Sequence, residues 1–250
     1  MELDLEGRIV IVTGASRGLG AAIVRDLVDE GAFVVAAARS EAALEELRSY
    51  SPKQIFIKVA DMEISDDIEE LVEFAISEFG SLHAVVNNAG IAPAGKFVDT
   101  DISVMEKTIA VNVIAPAILS RKAAQYFIET NIEGSIINIA STSGIKGKAQ
   151  LAGYSSSKGA MMRLTEALAA EWARYGIRVN TIAPGAFETD AQSAVLEDEN
   201  ILTARLRKIP LRRMGDPSEI GGLTSYLVSS KSSFVTGSCF VIDGGEVNKQ

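Results

Sequence analysis

The chain has 250 residues, a formal charge of −9, one cysteine and one histidine. The lone Cys239 excludes an internal disulfide and a cysteine-cluster zinc site, and the lone His83 excludes a histidine-rich metal cage. With 47% hydrophobic and 23% charged residues the chain is a folded protein, and its acidic balance argues against non-specific nucleic-acid binding.

The first element is an apolar run at residues 8–13 (RIVIVT), the pattern of a strand buried on both faces. A helix at 18–30 follows, with Ile23, Leu27 and Val28 inward. Then come a strand at 33–38, a helix at 41–50, a strand at 54–59, a helix at 65–79 with Ser65 and Asp66 at its start, and a strand at 82–86. The alternation continues with a long helix at 104–130, a strand at 134–140, a long helix at 151–175, a strand at 177–183, a helix at 217–229 and a last strand at 238–242. Helices alternating with short buried strands predict one α/β domain over residues 1–250: a doubly wound, mostly parallel sheet of about seven strands. Residues 186–211 are the least periodic and read as a mobile segment covering a site. The acidic start and strand-length apolar runs predict a cytoplasmic chain with no membrane span.

In such a sheet ligands bind beyond the carboxyl ends of the strands. After the first strand comes Thr13-Gly14-Ala15-Ser16-Arg17-Gly18-Leu19-Gly20. Gly14 permits a tight turn, Gly18 lets backbone approach a ligand, and Gly20 lets helix and sheet pack closely, so N–H groups and the helix dipole face a pyrophosphate. By itself such a loop also serves as a mere tight connection. Tyr154 and Lys158 stand at i, i+4 on one helix face, a spacing that is also common in surface pairs. Ser141, thirteen residues before Tyr154, lies just past a strand end, where the two can meet. A phenol titrates near 10, and a neighbouring Lys⁺ favours its ionised form. Lowering the phenol by about two units needs roughly 2.7 kcal/mol. Tyr154 then exchanges a proton with a carbonyl or alcohol oxygen that Ser141 holds.

Together these residues resemble the short-chain dehydrogenase/reductase family over essentially the whole chain. The matching elements are Thr13-Gly14-x₃-Gly18-x-Gly20, Asn87-Asn88-Ala89-Gly90, Asn112, the Ser141, Tyr154 and Lys158 set, Pro184-Gly185 with Thr189 beyond, and Val241-Ile242-Asp243-Gly244-Gly245. The resemblance implies a Rossmann-type domain and assigns roles. Gly14, Ser16, Arg17, Gly18, Leu19 and Gly20 line the pyrophosphate and adenosine side, Asp61 and Met62 flank the adenine, and Asn88, Ala89 and Gly90 contact the ribose region. Pro184, Gly185, Phe187 and Thr189 bracket the nicotinamide. Tyr154 is the acid/base, Ser141 holds the oxygen, and Lys158 binds the nicotinamide ribose and depresses the tyrosine. Asn112 helps a water carry protons. No metal is expected, and the family implies a homotetramer with an exposed apolar face on the last helices and strand.

The second strand ends Ala36-Ala37-Ala38-Arg39-Ser40, with Ala38 where an NAD-selective member keeps an Asp. Arg39 and Arg17 suit the 2′-phosphate of NADP, so NADP(H) is preferred over a possible NAD(H); an ordinary solvated Arg39 is the plainer reading. The expectation is an oxidoreductase acting on a small secondary alcohol or ketone. A 3-oxoacyl carrier-protein reductase and a non-catalytic dinucleotide-sensing protein are the alternatives. The acidic Glu129 and Glu133 argue against docking an acidic carrier. Selectivity falls to residues 90–98, 142–153 and 186–210. There Ile91, Ile145, Leu151 and Phe187 suggest an apolar pocket, and Ser143, Lys146, Lys148 and Gln150 leave room for a polyol. His83, Trp172 and the acidic cluster at 197–199 read as structural or solvated, and Cys239 as a small packed residue.

Overall fold

The computed structural model describes residues 3–249, with the side chains at 191 and 194 left out. Seven strands form one all-parallel sheet in the order β3-β2-β1-β4-β5-β6-β7: β1 Ile9–Thr13, β2 Phe33–Ala38, β3 Ile55–Val59, β4 Ala84–Asn87, β5 Ser135–Ile139, β6 Arg178–Pro184 and β7 Cys239–Ile242. The helices are α1 Gly18–Asp29, α2 Glu41–Arg48, α3 Ser65–Phe79, α4 Ile102–Ile109, α5 Ala115–Thr130, α6 Ala152–Trp172, α7 Ser193–Leu196, α8 Glu199–Leu206 and α9 Ser218–Val228. The fold is therefore Rossmann-like and doubly wound. Val10 and Val12 of β1 face a core shared with α1 and α9, whereas Ile9 and Ile11 face a second core with α3, α5 and Trp172. Two-sided burial explains the unbroken apolar reading of the strand.

The chain runs outward from β1 to β3, then returns to place β4 on the other side of β1. That reversal is the switch point of the sheet, where the loops after β1 and β4 diverge and leave a crevice.

Three local readings are corrected. The helix expected at 104–130 is two helices joined by a π-turn, Ala110–Ile114. Pro116 has no N–H to give the carbonyl of Asn112 four residues earlier, so the α-ladder cannot run through. The stretch Ile102–Thr130 is apolar enough by composition to cross a membrane, yet Leu119, Ala123 and Phe127 pack into the core. As expected, α3 begins at Ser65 with Asp66 in its first turn, and Asp67 there accepts the Asp61 N–H at 2.8 Å. The covering segment is not irregular: it carries α7 and α8, and Asp198, read as part of a solvated cluster, caps α8 by accepting from Asn200 and Ile201.

Cys239 is exposed, not packed. β7 is an edge strand whose Phe240 and Ile242 face the core, while Cys239 and Val241 face outward. His83 fits its structural reading: its Nδ1 accepts the Ile9 N–H at 3.0 Å at the foot of the sheet.

Candidate active site

The loop after β1 is shaped by close backbone approach. Gly14 and Gly18 have φ of +63° and +56°, left-handed values that favour glycine. A Cβ on Gly20 would stand 2.2 Å from the Gly14 carbonyl oxygen, so no other residue fits there without moving backbone. The loop is clamped from β4. Asn88 Nδ2 donates to the Thr13 and Gly14 carbonyls at 3.0 and 3.1 Å, and Thr13 Oγ1 accepts the Asn88 and Ala89 N–H groups, both at 3.1 Å. Asn88 thus spends its amide on the glycine loop. Thr13 is the hub of this clamp, a part the sequence reading quoted without a role.

A cleft of about 1130 Å³ opens along the switch point. It brings together Gly14, Ser16, Arg17, Gly18, Leu19 and Gly20, Arg39 and Ser40, Asp61 and Met62, Asn88, Ala89 and Gly90, Ser141, Tyr154 and Lys158, and Pro184, Gly185, Phe187 and Thr189. Arg17 and Arg39 line it without an ion pair among the described residues. Ser40 is there too, but its hydroxyl caps α2 by accepting the Ala43 N–H at 3.4 Å. Arg25, Glu46, Glu188 and Gln192 also line the cleft and were missed, because they come from helix faces and a loop with no motif around them.

Asn112 is the exception, as its side chain does not line the cleft. Its Oδ1 accepts the Ile91 N–H at 2.8 Å, and its Nδ2 donates to the Ile91 carbonyl at 2.9 Å and to Ser157 Oγ at 3.0 Å. It ties the loop after β4 to α6 and thereby sets where Lys158 emerges.

Ser141 and Tyr154 meet. The turn Thr142–Gly144 presses on α6, where a Cβ on Gly144 would stand 2.6 Å from the Lys158 carbonyl carbon. Burial pushes the Tyr154 phenol above its ordinary 10, and its hydrogen bond with Ser141 pulls it back down. Lys158 is buried, donates to the Ile139 carbonyl at 2.7 Å, and is lowered by burial to about 8. Its ammonium lies 5.8 Å from the Tyr154 ring centre. Lys158 gives its hydrogen bond to Ile139 rather than to the phenol, and burial is the largest influence on Tyr154.

A family model described as "Enoyl-(Acyl carrier protein) reductase" matches residues 14–246. Glucose 1-dehydrogenase of Gluconobacter oxydans is 35% identical over 243 residues, covering 96% of this chain and 91% of that protein. The chain belongs to the short-chain dehydrogenase/reductase family. The 3-oxoacyl-(acyl-carrier-protein) reductase FabG of Vibrio cholerae is 32% identical over 246 residues, covering 97% and 98% of the two chains. A solved structure from Agrobacterium tumefaciens with bound NADP superposes with a TM-score of 0.92 at 30% identity, covering 99% of each chain. As a member of this family the chain is an oxidoreductase that uses a nicotinamide dinucleotide.

Proposed function

We propose that the protein transfers a hydride between NADP(H) and a small secondary alcohol or ketone, with Tyr154 as the acid/base. The observation that carries this reading is the meeting of Ser141 and Tyr154 at the wall of a cleft whose other end is a glycine cradle. The cradle suits a dinucleotide: positive-φ glycines admit backbone contact, and the N-terminus of α1 opens on the cleft. In the bound state the nicotinamide supplies or accepts the hydride.

The chain's own residues do the rest. Tyr154 gives a proton to the carbonyl oxygen in reduction and takes one in oxidation, and Ser141 holds that oxygen. Lys158, lowered to about 8, can pass a proton inward at neutral pH. Asn112 acts by position: its amide is engaged, and Pro116 leaves the Asn112 carbonyl without its α-helical donor, where a water can bond. Arg17 and Arg39, without an ion pair among the described residues and lining the same cleft as Ala38, suit a 2′-phosphate, and the NADP-bound neighbour supports the same preference. Exposed Phe234 and Val241 beside the edge strand are in keeping with the homotetramer proposed from the family.

A 3-oxoacyl carrier-protein reductase remains the second reading, favoured by the Vibrio relative; Glu129 and Glu133 stand just before β5, at the foot of the sheet and away from the cleft, and do not weigh against it. The test is NADPH oxidation over a mixed ketone panel, with and without an acyl-carrier thioester. Tyr154→Phe is expected to keep cofactor affinity and to lower kcat by roughly 10²–10⁴-fold. More than about a tenth of wild-type turnover in that variant would contradict the role of Tyr154.

A further inference from the structure

Between Ser141 and Tyr154 the chain makes a surface loop, residues 145–150, that carries Lys146 and Lys148. This loop is pinned to the catalytic helix, because the Lys148 N–H donates to Oγ of Ser155, the residue after Tyr154, at 3.2 Å. It is also pinned to the C-terminal turn, where Lys146 Nζ donates to the Val247 carbonyl. The same turn holds the covering segment. Arg205 of α8 bonds both carboxylate oxygens of Glu246, and the Leu211 N–H donates to the Gly244 carbonyl at 3.2 Å. Three segments therefore converge on one spot: the loop entering α6, the helix α8, and the turn after β7.

The charges at that spot do not balance. Lys148 feels Glu246, Arg205 and Lys208, so these four groups share one neighbourhood. The single carboxylate is committed to Arg205, and that pair is largely withdrawn from water. Neither Lys148 nor Lys208 has an ion pair or a side-chain hydrogen bond among the described residues. Two ammonium groups thus stand unmatched beside the catalytic helix, in a chain whose overall charge is −9. Both lysines are exposed, and desolvation lowers Lys148 against the opposing pull of Glu246. Both cation-bearing segments lead directly into cleft walls, the loop into Tyr154 and α8 back to Thr189 and Gln192.

We propose that the substrate carries an anionic oxygen group, a carboxylate or a phosphate, which Lys148 and Lys208 hold while its alcohol or ketone reaches Tyr154. This rests on the oxidoreductase reading and narrows it to acids. Lys148 belongs to the catalytic loop and Lys208 to the covering segment, so an anion between them also draws that segment toward the loop. The Arg205–Glu246 pair fixes α8 without spending either lysine.

The experiment compares matched substrates that differ in one ionic group: gluconate, glucitol and glucitol 6-phosphate in oxidation, and 4-oxopentanoate against 2-pentanone in reduction. Wild type is expected to favour an acid over its neutral partner by about ten- to a hundredfold in kcat/KM, the usual range for one or two charge-assisted contacts. That preference should fall as salt is raised. The carboxylate and phosphate arms tell which anion fits. Lys148→Met should erase most of the preference, Lys208→Ala part of it, and Lys148→Arg little. Melting temperature, followed alongside, separates loss of fold from loss of recognition. Equal turnover of charged and neutral partners, or variants that scale both alike, would overturn the proposal. Sensitivity of only a carrier-protein thioester to Lys148→Met would overturn it in favour of protein docking. Failure to turn over any panel member would instead sink the oxidoreductase reading, whereas good turnover of the neutral members alone sinks only the anion.

Discussion

The two banks of the cleft are built on different physics. On the bank from β1 to β3 the ligand-facing surface is mostly backbone: a turn of glycines, clamped by Asn88 and Thr13, backed by fully buried Val10, Val12 and Val34. On the opposite bank, from residue 145 onward, the loop, α8 and the C-terminal turn are joined by ion pairs and side-chain-to-backbone bonds, and helix α8 buries no residue. The first bank gains specificity from shape and tolerates almost no change in side-chain volume. The second gains it from charge, which can be rewritten residue by residue. Tyr154 and Lys158 stand on α6 between the two.

The sharpest way to break the first bank is Gly20→Val. Its Cβ would lie 2.2 Å from the Gly14 oxygen and 2.5 Å from Asn88 Nδ2. Backbone cannot retreat as a side chain can, so a loss of about 3 kcal/mol, the upper end of overpacking, is expected together with loss of dinucleotide binding. Denaturant midpoints and cofactor titration check both.

Lys158→Met probes the seam. An unfolded lysine titrates near 10.5, whereas the folded one titrates at about 8. Below pH 8 both states carry the charge and the full burial cost of roughly 3 kcal/mol weighs on the native state. Between pH 8 and 10.5 the native chain has shed the proton that the unfolded chain retains, so wild-type stability rises with pH. Removing the amine should therefore abolish activity yet stabilise the fold by about 2 kcal/mol at pH 7, after about 1 kcal/mol for the lost bond to Ile139. Denaturation at pH 7 and pH 10 reads this out. A gain that does not shrink at the higher pH would contradict the burial account.

On the adenosine end of the first bank, Ala38→Asp/Arg39→Ile should swing cofactor preference from NADPH toward NADH by about ten- to a hundredfold, the worth of one charge-assisted contact. The ratio of kcat/KM for the two cofactors measures it. A wild type preferring NADH by tenfold would show that neither arginine reaches the 2′ position.

The smallest effect is expected on the second bank. Arg205→Met/Glu246→Leu removes both partners of a pair whose side chains are 17% and 14% exposed. Replacing such a pair with apolar groups should change stability by less than about 1 kcal/mol, whereas Arg205→Met alone should cost about 1–2 kcal/mol by leaving Glu246 unpaired. A double-mutant cycle on thermal unfolding compares them.

The two banks were also unequally legible. The glycine loop shows in the sequence because positive φ and close packing restrict the residue type, and composition records that restriction directly. Ser141, Tyr154 and Lys158 were readable because strand ends and helix spacing place them within short reach of one another. The buried chain Asn87–Asn138–Thr165–Thr181, bonded at 2.8 Å at each step, was not legible. Its members lie on three strands and a helix, and each polar side chain is tolerable in the core only because the next one satisfies it. Asn112 was legible as a position, but not the partners of its amide, which are set by Ile91 and Ser157.

By itself the sequence determined the alternation of strands and helices, the parallel sheet, the dinucleotide-type turn and the order of the catalytic set. These follow from local periodicity and from residue types with narrow steric demands. Only the tertiary structure decided that Lys158 bonds Ile139 rather than Tyr154, that Cys239 faces outward, that 186–211 carries two short helices, and that Lys148 and Lys208 share a neighbourhood with Glu246. Burial and charge balance are sums over neighbours distant in sequence, and no local pattern carries those sums.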